Sequence, residues 1–137
     1  MRVKRGDIYW VEFDPAKGSE QAPTGSGQAG LRPALVIQND VGNQYSPTTI
    51  AAVITRRLPR ERYPFVVIIE PDESGLPERS AVNCSELATI QQASPAGRLR
   101  PPPGEPAIGP IGHLAASKMA EVDQALCYGL GISQKGT

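Results

Sequence analysis

Asp7-Ile-Tyr-Trp-Val-Glu-Phe13 is the stretch on which the fold class turns. It is rich in β-branched and aromatic side chains, with Ile8, Trp10 and Glu12 on one face and Tyr9, Val11 and Phe13 on the other, the alternation of a strand. Asp14-Pro15 stops it. Further strands follow. Pro33-Ala-Leu-Val-Ile-Gln38 is a short, nearly continuous apolar run of the kind covered on both faces, with a proline where a strand's first residue tolerates one. Thr48–Thr55 reads as a third strand expected to pair with the second, Phe65–Ile69 as a fourth ending at Glu70-Pro71, and Ser80–Cys84 as a weaker fifth. Asn39–Pro47 reads as turn material and Arg56–Arg62 as a basic loop. One long helix is expected, because Leu114, Met119, Val122, Leu126 and Leu130 recur at near-helical spacing from 114 to 130, with Gly129 and Gly131 as the stop. Strands first and a helix last predict a mainly β (α+β) fold, a small twisted β-barrel with one packed C-terminal α-helix.

The 137 residues suit a single domain, 1–137, with a modest core. Fourteen Gly and fourteen Pro argue for short elements joined by turns and against a helical bundle. No apolar run approaches the roughly 18 residues of a membrane span and no basic-then-apolar leader follows Met1, so no membrane association and a cytoplasmic location are expected. Cys84 and Cys127 make neither a disulfide framework nor a metal site, and the single histidine, His113, rules out chemistry that needs two imidazoles. No metal and no cofactor is expected. The net charge is zero, yet residues 1–63 carry nine basic and six acidic groups and residues 64–137 five and eight. Ten of the fourteen basic residues are Arg, whose planar fork of donors suits phosphate. The balance does not support a broad groove for duplex DNA, so any nucleic-acid contact should be local.

Two stretches stand apart by composition. Residues 17–30 offer almost nothing to bury and read as a long mobile lid loop. Residues 99–112 hold five prolines and three glycines and read as a rigid, partly polyproline surface segment, preceded by a helical turn from Ser94-Pro95 to Arg98.

Candidate chemistry gathers around the second and third strands. Arg32 stands where the lid enters a strand and suits an anion clamp; the plainer reading is an ion pair with Glu20 or Asp40. Thr55 ends an apolar strand beside Arg56-Arg57, where its hydroxyl can donate to a phosphate oxygen or serve simply as a β-former. Arg56, Arg57, Arg60 and Arg62 with Tyr63 could steer an RNA strand and stack a base, or form a solvated face. Nucleotide-binding glycine motifs and a Ser-His-Asp set are missing. Cleavage of RNA stays open, since RNA carries its own nucleophile in the 2′-OH and needs only orientation, charge stabilisation and proton management.

Lys4-Arg-Gly-Asp-Ile-Tyr-Trp-Val-Glu-Phe-Asp-Pro15, Lys17-Gly-Ser-Glu-Gln21, Arg32-Pro-Ala-Leu-Val-Ile-Gln-Asn-Asp40 and Tyr45-Ser-Pro-Thr48 together resemble the PemK/MazF toxin family of toxin–antitoxin systems. Ala51–Thr55, Gly75-Leu-Pro77 with Ser80-Ala-Val82, and Met119–Leu126 follow in the family's order, so the resemblance spans nearly the whole chain. It implies an SH3-like barrel, a homodimer, and a ribosome-independent, metal-free endoribonuclease that cuts single-stranded RNA at short sequences to 2′,3′-cyclic phosphate and 5′-OH ends. It implies a cognate MazE-like antitoxin whose disordered tail lies across the dimer groove. DNA contact is expected only from the toxin–antitoxin complex.

By position, Arg32 and Thr55 match the family's pair at the scissile phosphate; an arginine is essentially always protonated, which favours phosphate stabilisation over base chemistry. Glu20 and Gln21 match a loop that closes over RNA, Ser46 and Thr48 a segment lining the RNA groove, and Arg56 and Glu86 further RNA contacts. Three departures accompany the resemblance: a longer lid over Ala22–Gly30, Glu86 and Ala88 where relatives commonly carry a Gln and a basic residue, and the long 99–112 stretch. Ala88 in place of a cation and Glu86 in place of a neutral amide make the expected groove less positive, which should weaken phosphate binding. Two other readings of the scaffold are a CcdB-like poison of a protein target such as DNA gyrase, without catalysis, and an inactive antitoxin-binding module.

Overall fold

The computed structural model describes residues 2–13, 30–92 and 97–133. Among these residues ten elements follow in chain order: β1 (Asp7–Phe13), β2 (Gly30–Val36), α1 (Asp40–Tyr45), β3 (Thr48–Thr55), β4 (Val66–Ile69), α2 (Pro71–Ser74), β5 (Ser80–Gln91), β6 (Leu99–Arg100), β7 (Gly112–His113) and α3 (Ala116–Leu130). The strands form one sheet in the order β4-β5-β3-β2-β1-β6, and β7 shares the outer edge of β1 with β6. Every pairing is antiparallel. The sheet curls into a half-barrel with α3 packed on it, which bears out the mainly β class with a C-terminal helix.

Both faces of the central strands are buried, and the side-chain alternation sorts their residues into two cores. Ile8, Leu35, Ile54, Ile69 and Val82 meet Leu114, Met119 and Val122 under α3. Tyr9, Val11, Phe13, Val36, Val53, Ile90 and Leu99 fill the other. The alternate faces read in β1 are these two cores.

The elements depart from the sequence reading where polar residues disguise structure. Asn39–Pro47, expected as turn, contains α1, capped by the Asn39 side chain, which accepts from the Gly42 N–H at 2.7 Å. Helix α2 follows β4 because Glu70 and Glu73 form a reciprocal capping box around Pro71. The weak fifth strand is the longest of all, twelve residues, since β5 continues through Ser85-Glu86 by way of a bulge. Residues 103–108 are exposed, as expected of a surface segment, but both ends of the 99–112 stretch are tied to β1: Leu99 is buried in the core and pairs with Val11, and Gly112 pairs with Ile8. In α3 the apolar stripe stops earlier than expected, with Leu130 57% exposed, and Gly131 at φ +74° ends the helix. Gly129 lies within α3, where an added Cβ would stand 3.0 Å from the Cys84 carbonyl oxygen, so its small size sets the close approach of helix to sheet. Most of the expected 17–30 lid, with Glu20 and Gln21, and the start of the expected turn at Ser94-Pro95 lie outside the described residues.

Candidate active site

Pro33 sits opposite Trp10 of β1, and β2 pairs with β3 only from Ala34 onward, matched to Val53. A residue with no N–H to give thus stands where that ladder ends. The register, Ala34 to Val53, Leu35 to Ala52 and Val36 to Ala51, runs on to bring Arg32 and Thr55 to facing positions just past the last pair. There the strands part and a cavity of about 520 Å³ opens. Its walls include Arg32, Thr55, Arg56, Arg57 and Glu86, so five of the residues singled out from the sequence share one space.

Each is held differently. Arg32 is half-buried on β2 and its guanidinium has no ion pair among the described residues, including Asp40. Asp40 is occupied elsewhere: its Oδ1 accepts from the Arg5 N–H at 2.7 Å and from Asn43 Nδ2 at 3.2 Å, and the Arg5 N–H is the chief reason its carboxyl lies below the usual aspartate range. The Thr55 Oγ1 accepts from the Arg57 N–H at 3.0 Å, which fixes the hydroxyl at the strand end and leaves its proton to donate. Arg56 pairs with Glu78 at 3.2 Å, but both side chains are mostly exposed, so the pair holds Arg56 only weakly against a phosphate.

The rest of the cavity was not read from the sequence. Trp10 of β1 supplies an aromatic wall; Leu76, Pro77, Glu78, Ser80 and Asn83 close the side across from it. Gly75, at φ +81°, caps α2 and turns the chain so that Leu76 anchors in the core and Pro77-Glu78 rim the opening. The usable signal was Gly75-Leu-Pro77 followed by Ser80-Ala-Val82, motifs noted for their order and not for a place on the wall.

Other singled-out residues fall elsewhere. Ser46 and Thr48 lie at the opposite end of β3 from Thr55, seven residues or about 23 Å away at strand rise, with Ser46 Oγ and Thr48 Oγ1 3.1 Å apart. Ala88 does not border the cavity: it is 7% exposed and paired with Ala51 in the core, so the charge argument attached to it fails for want of solvent access. Arg60, Arg62 and Tyr63 line a neighbouring groove with Arg79, and the Tyr63 ring stacks on Phe65 at 5.3 Å. His113 Nδ1 lies 2.8 Å from Oδ1 of the buried Asp7, and Cys84 is a buried thiol raised by burial to about 11, both away from the cavity. Among the described residues no group of three or more His, Cys, Asp or Glu is placed to hold a metal ion, and no helix is long and apolar enough to cross a membrane.

The arrangement offers cationic donors, a fixed hydroxyl, two carboxylates near them, Glu78 and Glu86, and an aromatic wall: a site for a phosphodiester with a base attached. Comparison with known proteins agrees with that direction. Residues 4–130 match the family described as PemK-like, MazF-like toxin of type II toxin–antitoxin system. Among solved structures, an endoribonuclease in complex with its cognate antitoxin from Mycobacterial species superposes with a TM-score of 0.66 at 20% identity, covering 96% of this chain and 97% of that one. Mycobacterium tuberculosis toxin MazF-mt6 gives 0.66 at 19% identity, covering 93% and 98%. A MazE-MazF structure from Deinococcus radiodurans gives 0.66 at 22%, covering 97% and 100%. At these identities the likeness to the solved structures is one of fold.

Proposed function

The chain belongs to the PemK-like, MazF-like toxin family of type II toxin–antitoxin systems, and from that premise we propose that it is an endoribonuclease whose centre is the Arg32–Thr55 cavity. The observation that carries the proposal is the meeting of Arg32 and Thr55 at facing positions where the β2–β3 ladder opens. A single-stranded RNA lies with one phosphate between them. The Arg32 guanidinium donates to the non-bridging oxygens, which gather charge as the neighbouring 2′-OH attacks phosphorus. The Thr55 hydroxyl donates to the same group. The 2′-OH gives its proton to solvent water as the O2′–P bond forms, the P–O5′ bond breaks and the leaving 5′-oxygen takes a proton from water, which leaves a 2′,3′-cyclic phosphate and a 5′-OH. Arg32 remains protonated throughout, so its part is electrostatic, and no step calls on a metal or cofactor.

The partners follow from the same reading. Tyr128, Leu130 and Ile132 stand 64%, 57% and 55% exposed around the end of α3, apolar side chains that a second copy of the chain would cover in a homodimer, and the proposed location is the cytoplasm. An antitoxin with a disordered tail would cover the groove, and Glu20, Gln21, Ser46, Thr48 and Arg56 would contact RNA on either side of the cut. The test is purified protein and a long unstructured RNA in EDTA, with cuts mapped by primer extension and end groups identified. Discrete cuts with 5′-OH ends, reduced at least about a hundredfold by Arg32→Ala with thermal stability unchanged, are expected. Toxicity that survives Arg32→Ala would move the function to a protein target.

A further inference from the structure

Thr55, Ala81 and Ile68 stand in one row across β3, β5 and β4, and Val53, Asn83 and Val66 stand in the next row but one. Residues two apart on a strand share a face, so both rows point to the same side of the sheet. Thr55 and Asn83 line the cavity that holds Arg32, whereas Val66 and Ile68 line a second groove of about 450 Å³. Two interstrand spacings, about 10 Å, carry the backbone from Thr55 to Ile68. The two hollows also meet along the chain, since Arg57 borders the first and Leu58 the second.

The second groove carries positive charge and an aromatic ring. Arg60, Arg62 and Arg79 line it with a single carboxylate, Glu61. Arg60 and Arg62 are exposed and have no ion pair among the described residues. Arg79 pairs with Glu70 at 2.9 Å, but both side chains are about half exposed, so the pair yields readily to a phosphate. Tyr63 is exposed and yet held in place: its ring stacks on Phe65 with centroids 5.3 Å apart and planes at 19°, and its carbonyl accepts from the Val66 N–H at 3.0 Å. Phe65 lies in turn against Gly129 of α3, where an added Cβ would stand 3.5 Å from the Phe65 Cβ. A ring backed in this way at the edge of a basic groove is a platform on which a base can stack.

We propose, on the endoribonuclease reading above, that this groove is a second RNA subsite. The strand cut at Arg32 and Thr55 continues into it, a base about one or two nucleotides from the cut stacks on Tyr63, and Arg60 and Arg62 attract the phosphates on either side of that base. Every base has a face to stack, so the subsite adds affinity and leaves the choice of sequence to the cavity. The rows that join groove to cavity favour RNA over an acidic protein segment, because a substrate strand is the ligand that has to occupy both hollows at once.

The experiment takes an RNA with one mapped cut and compares a form trimmed close to the cut with forms extended by about four nucleotides on the 5′ or the 3′ side. Extension on one side should lower the wild-type KM by about fivefold or more. Tyr63→Ala should lose most of that gain and Tyr63→Phe should keep it, since stacking needs the ring and not the hydroxyl. Binding is then measured by fluorescence anisotropy on the extended RNA with a 2′-deoxy nucleotide at the cut, which removes the nucleophile. There the double variant Arg60→Ala, Arg62→Ala should reduce the slope of log affinity against log salt by about 1.4. Extension that gains nothing on either side, or a gain and a salt slope that these variants leave whole, overturns the subsite while the nuclease stands. Unchanged RNA binding together with lost affinity for an oligoglutamate peptide also overturns it and assigns the groove to a protein partner. If folded wild-type protein cuts no RNA, the nuclease reading fails, and binding of a long unstructured RNA decides the subsite separately: a loss in both Tyr63→Ala and the arginine variant supports it, and unchanged binding overturns it.

Discussion

Gln92 offers a prediction whose size follows from its partners. The side chain is 5% exposed, and its Nε2 lies 3.1 Å from the Asn43 carbonyl, 3.1 Å from that of Ser46 and 3.2 Å from that of Thr48, while its Oε1 accepts from the Val3 N–H at 3.2 Å. One amide ties the N-terminal segment, the end of α1 and the start of β3. In Gln92→Ala the Ser46 carbonyl keeps Arg2 Nη1 at 2.7 Å and the Thr48 carbonyl keeps Gln38 Nε2 at 3.0 Å. The Asn43 carbonyl and the Val3 N–H lose their partner. Two orphaned groups cost about 2–6 kcal/mol together. Freeing the Gln side chain returns roughly 2 kcal/mol of rotamer entropy, leaving a loss of about 2 kcal/mol. Gln92→Glu keeps an acceptor for Val3 but sets a carboxylate against three carbonyl oxygens, so it should be the less stable variant at pH 7. Those oxygens raise the new carboxyl's folded-state pKa; the penalty is full above that pKa and shrinks as pH falls through it, when the protonated acid can donate. Urea denaturation across pH 4–8 measures both. A loss below about 0.5 kcal/mol in Gln92→Ala, with unchanged m, or a Gln92→Glu variant as stable as wild type at pH 7, would refute the reasoning.

Three further outcomes are expected. Gly112→Ala should lower stability by about 2 kcal/mol by thermal unfolding, because its Cβ would overlap the Ser74 carbonyl oxygen and stand 2.8 Å from that carbonyl carbon, both backbone atoms with little room to yield. Asp40 has its carboxyl pKa lowered, first by the Arg5 N–H; its contribution is present above the unfolded-state pKa and lost as pH falls through the folded one, so Asp40→Asn should flatten the acid side of a denaturation-midpoint profile taken from pH 6 to 2. Of the two free thiols, the half-buried Cys127 should react with a disulfide reagent at pH 8 in the folded protein, whereas Cys84, buried and raised to about 11, should react only after denaturant is added.

Much of the sheet was legible because β1 and β3 are unbroken runs of strand-forming residues, and both occupy the bounds read from the residues alone. β5 was cut short because Ser85 and Glu86 look like a strand's end when they are a bulge within it. Helices α1 and α2 were hidden since their sequences are those of turns, and side-chain caps decide between the two. At the site, Arg32 and Thr55 could be singled out one at a time. Their meeting depends on which residue of β2 faces which of β3, a register that long-range pairing settles and local pattern does not. The wall carrying Asn83 needed the bulge and was invisible for the same reason.

The outer edge of β1 has a consequence for when this toxin becomes one. Strand β1 is completed by residues made long after it: Trp10 waits for Arg100, and Asp7 for His113, 106 residues later. A nascent chain cannot close that edge until His113 has left the ribosome, and α3, which seals the core over Ile8 and Leu35, comes later still. Pairings so distant in sequence form slowly. Translation that halts before residue 116 therefore releases a chain whose core over Ile8 and Leu35 is uncovered, so the fold that carries the Arg32–Thr55 cavity forms only once α3 has been made.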